Sequence, residues 1–110
     1  MDKKKINDEV CSDRIEKALD YEFYKVLFDP VRTKIMAYLG ANGARSISEI
    51  AEHFPQDRTV ISRHLSLMNR YGILEKKKKS REYIYYLNAE FVIEKFDQTT
   101  NSLKELARNS

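Results

Sequence analysis

Apolar positions along the chain keep a helical period at both ends and switch to strand-like alternation only once, near residue 73. In the N-terminal part, Ile15, Ala18, Leu19, Phe23, Val26 and Leu27 recur at three- and four-residue spacing, which predicts a helix over residues 12–28 with Ser12 or Asp13 as its cap. Asp29-Pro30 then punctuates the chain. The residue before a proline avoids helical angles, whereas proline itself suits a first helical turn, so a second helix is predicted from Pro30 to about Leu39, ended by Gly40 and Gly43. A short extended piece at Arg45 to Ile47 leads to Ser48 and one to two turns of helix with an apolar edge at Ile50, Ala51 and Phe54, stopped by Pro55. Asp57 is a suitable cap for a fourth helix from Arg58 to about Tyr71. Its inward face is predicted to be Ile61, Leu65 and Met68, flanked by Val60 and His64, and Gly72 closes it.

At Ile73 and Leu74 a strand begins that runs into Lys76 to Lys79. A turn at Ser80-Arg81 follows, and Glu82 to Leu87 alternates as a second strand with Tyr83, Tyr85 and Leu87 on the face that covers the fourth helix. From Ala89 to about Ala107, Val92, Phe96, Thr99, Leu103 and Leu106 form a heptad-like stripe on a terminal helix. The expected fold is mainly α with a small β-hairpin, in the order α-α-β-α-α-β-β-α. Residues 1–11 are expected to be a flexible arm, and residues 12–110 one domain. Its end helices, 12–28 and 89–107, are expected to bury their apolar stripes against a second copy, through Ile15, Leu19, Phe23, Val92, Phe96, Thr99, Leu103 and Leu106.

With 110 residues, of which 42% are hydrophobic, the chain can form one small core. It contains no apolar run of 18 residues and no apolar stretch behind its charged start, so neither a membrane span nor a signal peptide is expected and a cytoplasmic location is. The lone Cys11 excludes a disulfide scaffold. A net charge of +3 says little until its distribution is considered. Residues 1–28 carry six basic against seven acidic side chains, 29–72 six against four, 73–85 five against two, and 86–110 three against four. The positive excess therefore lies in the middle of the chain, as expected of a protein that holds a polyanion with its centre and uses its ends for something else.

The third and fourth helices have the order and connection of a helix-turn-helix, whose second helix enters a DNA major groove with its first turns. With Ile61, Leu65 and Met68 inward, Arg58, Thr59, Ser62 and Arg63 project from the other side near the N-terminus, and together with His64 they are the candidate DNA contacts of the recognition helix. Arginine can make a bidentate contact to guanine, and threonine can offer its methyl to thymine or its hydroxyl to phosphate. The hairpin then reads as a wing: Lys76, Lys77, Lys78, Lys79, Ser80 and Arg81 are candidate backbone contacts that raise affinity without specifying sequence.

Three stretches resemble the bacterial ArsR/SmtB family of winged helix-turn-helix transcriptional regulators: LFDPVRTKIMAYL (27–39), SISEIAEHFPQDRTVISRHLSLMNRYGIL (46–74) and SREYIYYL (80–87). The resemblance extends from about Phe23 to Leu106. Ser80 stands where the family usually has glycine, which suggests a wider or differently shaped wing turn. The resemblance implies a homodimer on a near-palindromic double-stranded DNA operator, repressing transcription until an inducer, unknown here, lowers DNA affinity. It also implies a dimer interface built from the helices at the chain ends.

Many members of that family sense metals. The cysteine pair of its helix-three site is replaced here by Ala51 and His53, and residues 89–110 contain no histidine for its terminal-helix site. Cys11 with His53 makes a poor tetrahedral set, so no metal and no cofactor are expected. Asp8, Glu9 and Asp13 around Cys11 oppose thiolate formation, although a redox-sensing regulator acting through Cys11 stays open as a reading. The chain has no Gly-rich phosphate loop, no HExxH and no nucleophile with a neighbouring base, and no enzymatic activity is expected. Two further readings stay open: a winged-helix module whose basic hairpin meets an acidic protein, and a single-strand or RNA binder.

Overall fold

The computed structural model describes Lys17 and residues 19–109. The expected arm at 1–11, the caps Ser12 and Asp13, and Cys11, Ile15 and Ala18 lie outside the described residues. Eight elements follow in order: α1 (Tyr21–Leu27), α2 (Pro30–Asn42), β1 (Arg45–Ser46), α3 (Ile47–His53), α4 (Arg58–Arg70), β2 (Leu74–Lys79), β3 (Glu82–Leu87) and α5 (Ala89–Arg108). The expected order is observed. The three strands form one antiparallel sheet in the order β1-β3-β2.

Local boundaries depart from the expected ones at several points. The helix predicted over 12–28 is not continuous: Lys17 and Leu19 are helical, but Asp20 takes left-handed angles (φ 52°, ψ 58°) and α1 starts after it. Aspartate tolerates this conformation better than most residues, and its carboxylate is held by the Lys95 ammonium of α5. Gly40 does not end α2. The helix runs to Asn42 and stops at Gly43, whose φ of 79° suits glycine, while Gly40 lets the Leu87 side chain come within 3.2 Å of where a Cβ would stand.

Asp29 caps α2 as predicted, its Oδ2 accepting from the backbone N–H of Val31 (2.9 Å) and Arg32 (3.0 Å). Ser46, not Ser48, precedes α3. It forms a capping box, in which Ser46 Oγ accepts from Glu49 N and Glu49 Oε1 accepts from Ser46 N, so Ile47 belongs to the helix and not to the preceding strand. Asp57 occupies the N-cap position of α4 but makes no side-chain cap bond. The C-terminus of α4 closes in a Schellman arrangement, with Gly72 N–H donating to Asn69 O and Ile73 N–H to Met68 O.

The core joins all layers. Phe23 and Leu27 of α1, Ile35 and Leu39 of α2, Ile50 of α3, Ile61, Leu65 and Met68 of α4, and Ile73 and Leu74 at the wing root are buried together. Each such side chain contributes about 1.5–3 kcal/mol relative to exposure. The three predicted inward residues of α4 are entirely buried, which fixes the rotation of that helix and hence the residues it presents outward.

Candidate nucleic-acid interface

On the outward side of α4, Arg58, Thr59 and Arg63 are exposed and Ser62 is half-buried. All four lie in the first two turns, where the helix dipole favours a phosphate. His64 turns the other way. Its Nδ1 lies 3.2 Å from Arg32 Nη1, and since arginine can only donate, the imidazole accepts there. Arg32 also gives its Nε–H to Val26 O (2.6 Å) and sits beside Asp29. The network thus ties the end of α1, the start of α2 and the middle of α4 together, and it places His64 on the scaffold side of α4. Burial pushes the Asp29 carboxyl up, but the Arg32 backbone N–H, the Arg32 guanidinium and the Val31 N–H outweigh it and hold the group below its ordinary 3.8.

The hairpin β2–β3 carries Lys76, Lys77, Lys78 and Lys79, all exposed, with Ser80 and Arg81 at its turn. Pairing Lys79 with Glu82 leaves a tight two-residue turn rather than a wider one, and Ser80 itself adopts the left-handed φ of 59° that a glycine would take up freely. Because side chains alternate, Lys76 and Lys78 share a face with Tyr83 and Tyr85, and Lys77 and Lys79 share the other with Glu82 and Ile84. Tyr83 departs from the expectation that it covers α4: it is 44% exposed, near the wing tip, with Lys76 Nζ 4.7 Å from its ring centroid. Tyr85, nearer the root on the same face, is buried, and that burial together with Tyr83 raises its hydroxyl above the usual value.

Two sets of bonds fix the wing relative to α4. At the root, Asn69 Nδ2 donates to Leu74 O (2.9 Å) and Asn88 N–H to Ile73 O (2.9 Å). Near the tip, Arg58 Nη1 donates to Ser48 Oγ (3.0 Å), and Ser48 Oγ donates to Glu82 Oε1 (2.8 Å). Sequence reasoning does not single out Ser48 or Glu82 for the site. Neither residue type signals the role, and their juxtaposition with Arg58 depends on the antiparallel return of β3 past α3.

The remaining candidates lie elsewhere. His53 is exposed at the end of α3 and stacks on Tyr38, with ring centroids 4.1 Å apart. Among the described residues no group of three or more His, Cys, Asp or Glu could hold a metal ion. Among the expected dimer-face residues, Phe23 and Val92 are buried in the chain's own core, so they are not free to meet a partner. Leu19, Thr99 and Leu106 are half-buried, Thr99 Oγ1 lying 2.7 Å from the Tyr24 hydroxyl. Phe96 (43%) and Leu103 (51%) are exposed, and so are three apolar residues outside the predicted stripe, Tyr21 (60%), Phe28 (63%) and Ile93 (58%).

A buried-face helix presenting its N-terminal residues beside a basic two-stranded wing defines a winged helix-turn-helix DNA-binding protein. Comparison with known proteins agrees. A helix-turn-helix domain family matches residues 27–77. The chain is 33% identical over 63 residues to the transcriptional repressor SdpR of Bacillus subtilis, covering 57% of this chain and 68% of that protein. It is 29% identical over 75 residues to an uncharacterized HTH-type transcriptional regulator of Methanocaldococcus jannaschii, covering 68% of this chain and 82% of the other. Among solved structures, an ArsR-like transcriptional regulator from Rhodococcus sp. RHA1 superposes with a TM-score of 0.65 at 25% identity, covering 84% and 83% of the two chains. The chain belongs to the ArsR/SmtB family of winged helix-turn-helix transcriptional regulators.

Proposed function

We propose that the protein is a dimeric, sequence-specific repressor that binds a near-palindromic operator and is released by a signal the chain's residues do not name. The observation that carries this reading is the exposure of Arg58, Thr59 and Arg63 on the first turns of α4, beside a wing with five exposed cations. In this reading Arg58, Thr59, Ser62 and Arg63 meet base edges, and Lys76 to Lys79 with Ser80 and Arg81 hold the phosphate backbone. His64 acts from behind, by holding α4 on Arg32. The exposed apolar residues Tyr21, Phe28, Ile93, Phe96 and Leu103 supply the surface for the second copy. Repression is consistent with the SdpR relative. The reading includes no catalytic step, no metal and no cofactor, and places the protein in the cytoplasm with its DNA.

A gel-shift titration against the DNA upstream of the protein's own gene tests this. Retardation that weakens steeply between about 50 and 200 mM salt is expected. An absence of salt-sensitive retardation over that range, with retention of an acidic protein instead, would replace the reading with a protein-interaction role for the same wing.

A further inference from the structure

The Arg58 guanidinium carries five N–H donors in a planar fork, and a bidentate contact to a guanine edge uses two of them. Such a contact discriminates well only if the fork is already oriented, because a free arginine loses rotamer entropy on ordering. In this structure one Nη1–H of Arg58 goes to Ser48 Oγ at 3.0 Å, and the Ser48 hydroxyl gives its single proton to Glu82 Oε1 at 2.8 Å. The Ser48 oxygen therefore faces Arg58 with a lone pair, and the serine cannot rotate to offer a proton instead. Among the described residues Arg58 makes no other hydrogen bond or ion pair, so its Nε–H and Nη2–H groups keep an open edge. Glu82 is itself placed by the wing: it pairs with Lys79 next to the two-residue turn.

We infer that Ser48 and Glu82 are positioning residues for base recognition by Arg58, forming a relay through which the wing strand orients a side chain of the recognition helix. The inference rests on the DNA-binding reading given above. The relay commits one donor of Arg58 and leaves the bidentate edge available. It also makes the wing more than a sequence-blind clamp, because loss of the Glu82 carboxylate acceptor reaches a base-reading group across two elements. Glu82 is otherwise an unfavourable residue to keep at the tip of a hairpin that meets phosphates, since its charge repels them.

The test is enrichment from a pool of duplexes with a randomised core, sequenced after binding to wild-type protein and to Arg58→Ala, Ser48→Ala, Glu82→Ala and Glu82→Gln, each checked for an unchanged melting temperature. Arg58→Ala identifies the base positions that Arg58 reads. Ser48→Ala and Glu82→Ala are expected to flatten preference at those same positions by about three- to tenfold, leaving the remaining positions unchanged. Glu82→Gln keeps an oxygen acceptor for Ser48 and is expected to retain the wild-type preference while binding all sequences more tightly. Preferences of Ser48→Ala and Glu82→Ala that coincide with wild type, or that flatten equally at every position, would overturn the relay. If the wild-type protein enriched no sequence at all, the DNA-binding reading itself would fail and the relay with it.

Discussion

Asp29 serves two structural roles through one carboxylate. It caps α2 through the N–H groups of Val31 and Arg32, and it lies beside the guanidinium that holds His64 of α4. Its charged form is the one bound, and its folded-state pKa is lowered from 3.8. A group with a depressed folded value contributes stability above its unfolded value and loses it as pH falls through the folded one. Stability measured by urea unfolding should therefore decline below about pH 4 in the wild type. Asp29→Asn should remove part of that decline, because amide and carboxylate both cap but only the carboxylate titrates. Asp29→Ala should cost roughly 0.5–2 kcal/mol at neutral pH. A pH profile for Asp29→Asn that runs parallel to wild type below pH 4 would show that different carboxylates carry the acid sensitivity.

At the scale of elements, the junction between α4 and the basic hairpin decides how the two sit relative to each other, and with them the proposed reader and clamp. Gly72 turns the chain there with a φ of 83°, and a Cβ on it would stand 2.6 Å from Phe91 Cε2. Gly72→Ala should thus destabilise by roughly 2 kcal/mol or more, from left-handed strain plus overpacking, seen as a lowered melting temperature. The wing lysines, unlike Glu82, should act on affinity alone: Lys77→Ala with Lys78→Ala, which removes one cation from each face, should weaken binding to all duplexes. It should also reduce the slope of log affinity against log salt by about 1 for each phosphate no longer neutralised. An unchanged slope would mean that those lysines do not touch phosphate.

Much of this element structure was legible in the sequence. The Asp29-Pro30 step, the Ile61, Leu65 and Met68 stripe and the period change near Ile73 each have a local cause, and each appears where that cause puts it. What escaped depends on chain segments meeting in space. Gly40 looks like a stop signal until Leu87 is packed over it, and Tyr83 looks like a core residue until the register places it out toward the wing tip. Ser48 and Glu82 are 34 positions apart, and no spacing rule connects them.

For the whole molecule, the proposed pairing with a second copy rests on the exposed apolar residues. Phe28 and Phe96 pack edge-on at 6.3 Å between centroids, yet both stay exposed, along with Ile93 and Leu103 on α5. Placing a charge in this band, as in Leu103→Glu, should convert a dimer into monomers in sedimentation velocity at micromolar concentration. Sequence preference per monomer should survive while operator affinity falls, because a two-fold pair of recognition helices gains its affinity from two half-sites. Undiminished dimerisation of Leu103→Glu would move the interface away from α5.

The central claim is that the first turns of α4 read DNA sequence from such a dimer. Selection from a randomised duplex pool, sequenced for wild type and Arg63→Ala side by side, tests it most directly. The account predicts that wild type enriches inverted half-sites centred about one helical turn, or a multiple of it, apart. It predicts further that Arg63→Ala loses about 1–3 kcal/mol of discrimination at one symmetric pair of base positions while keeping its melting temperature. Enrichment of no motif, or a motif that Arg63→Ala leaves unchanged at every position, would contradict it.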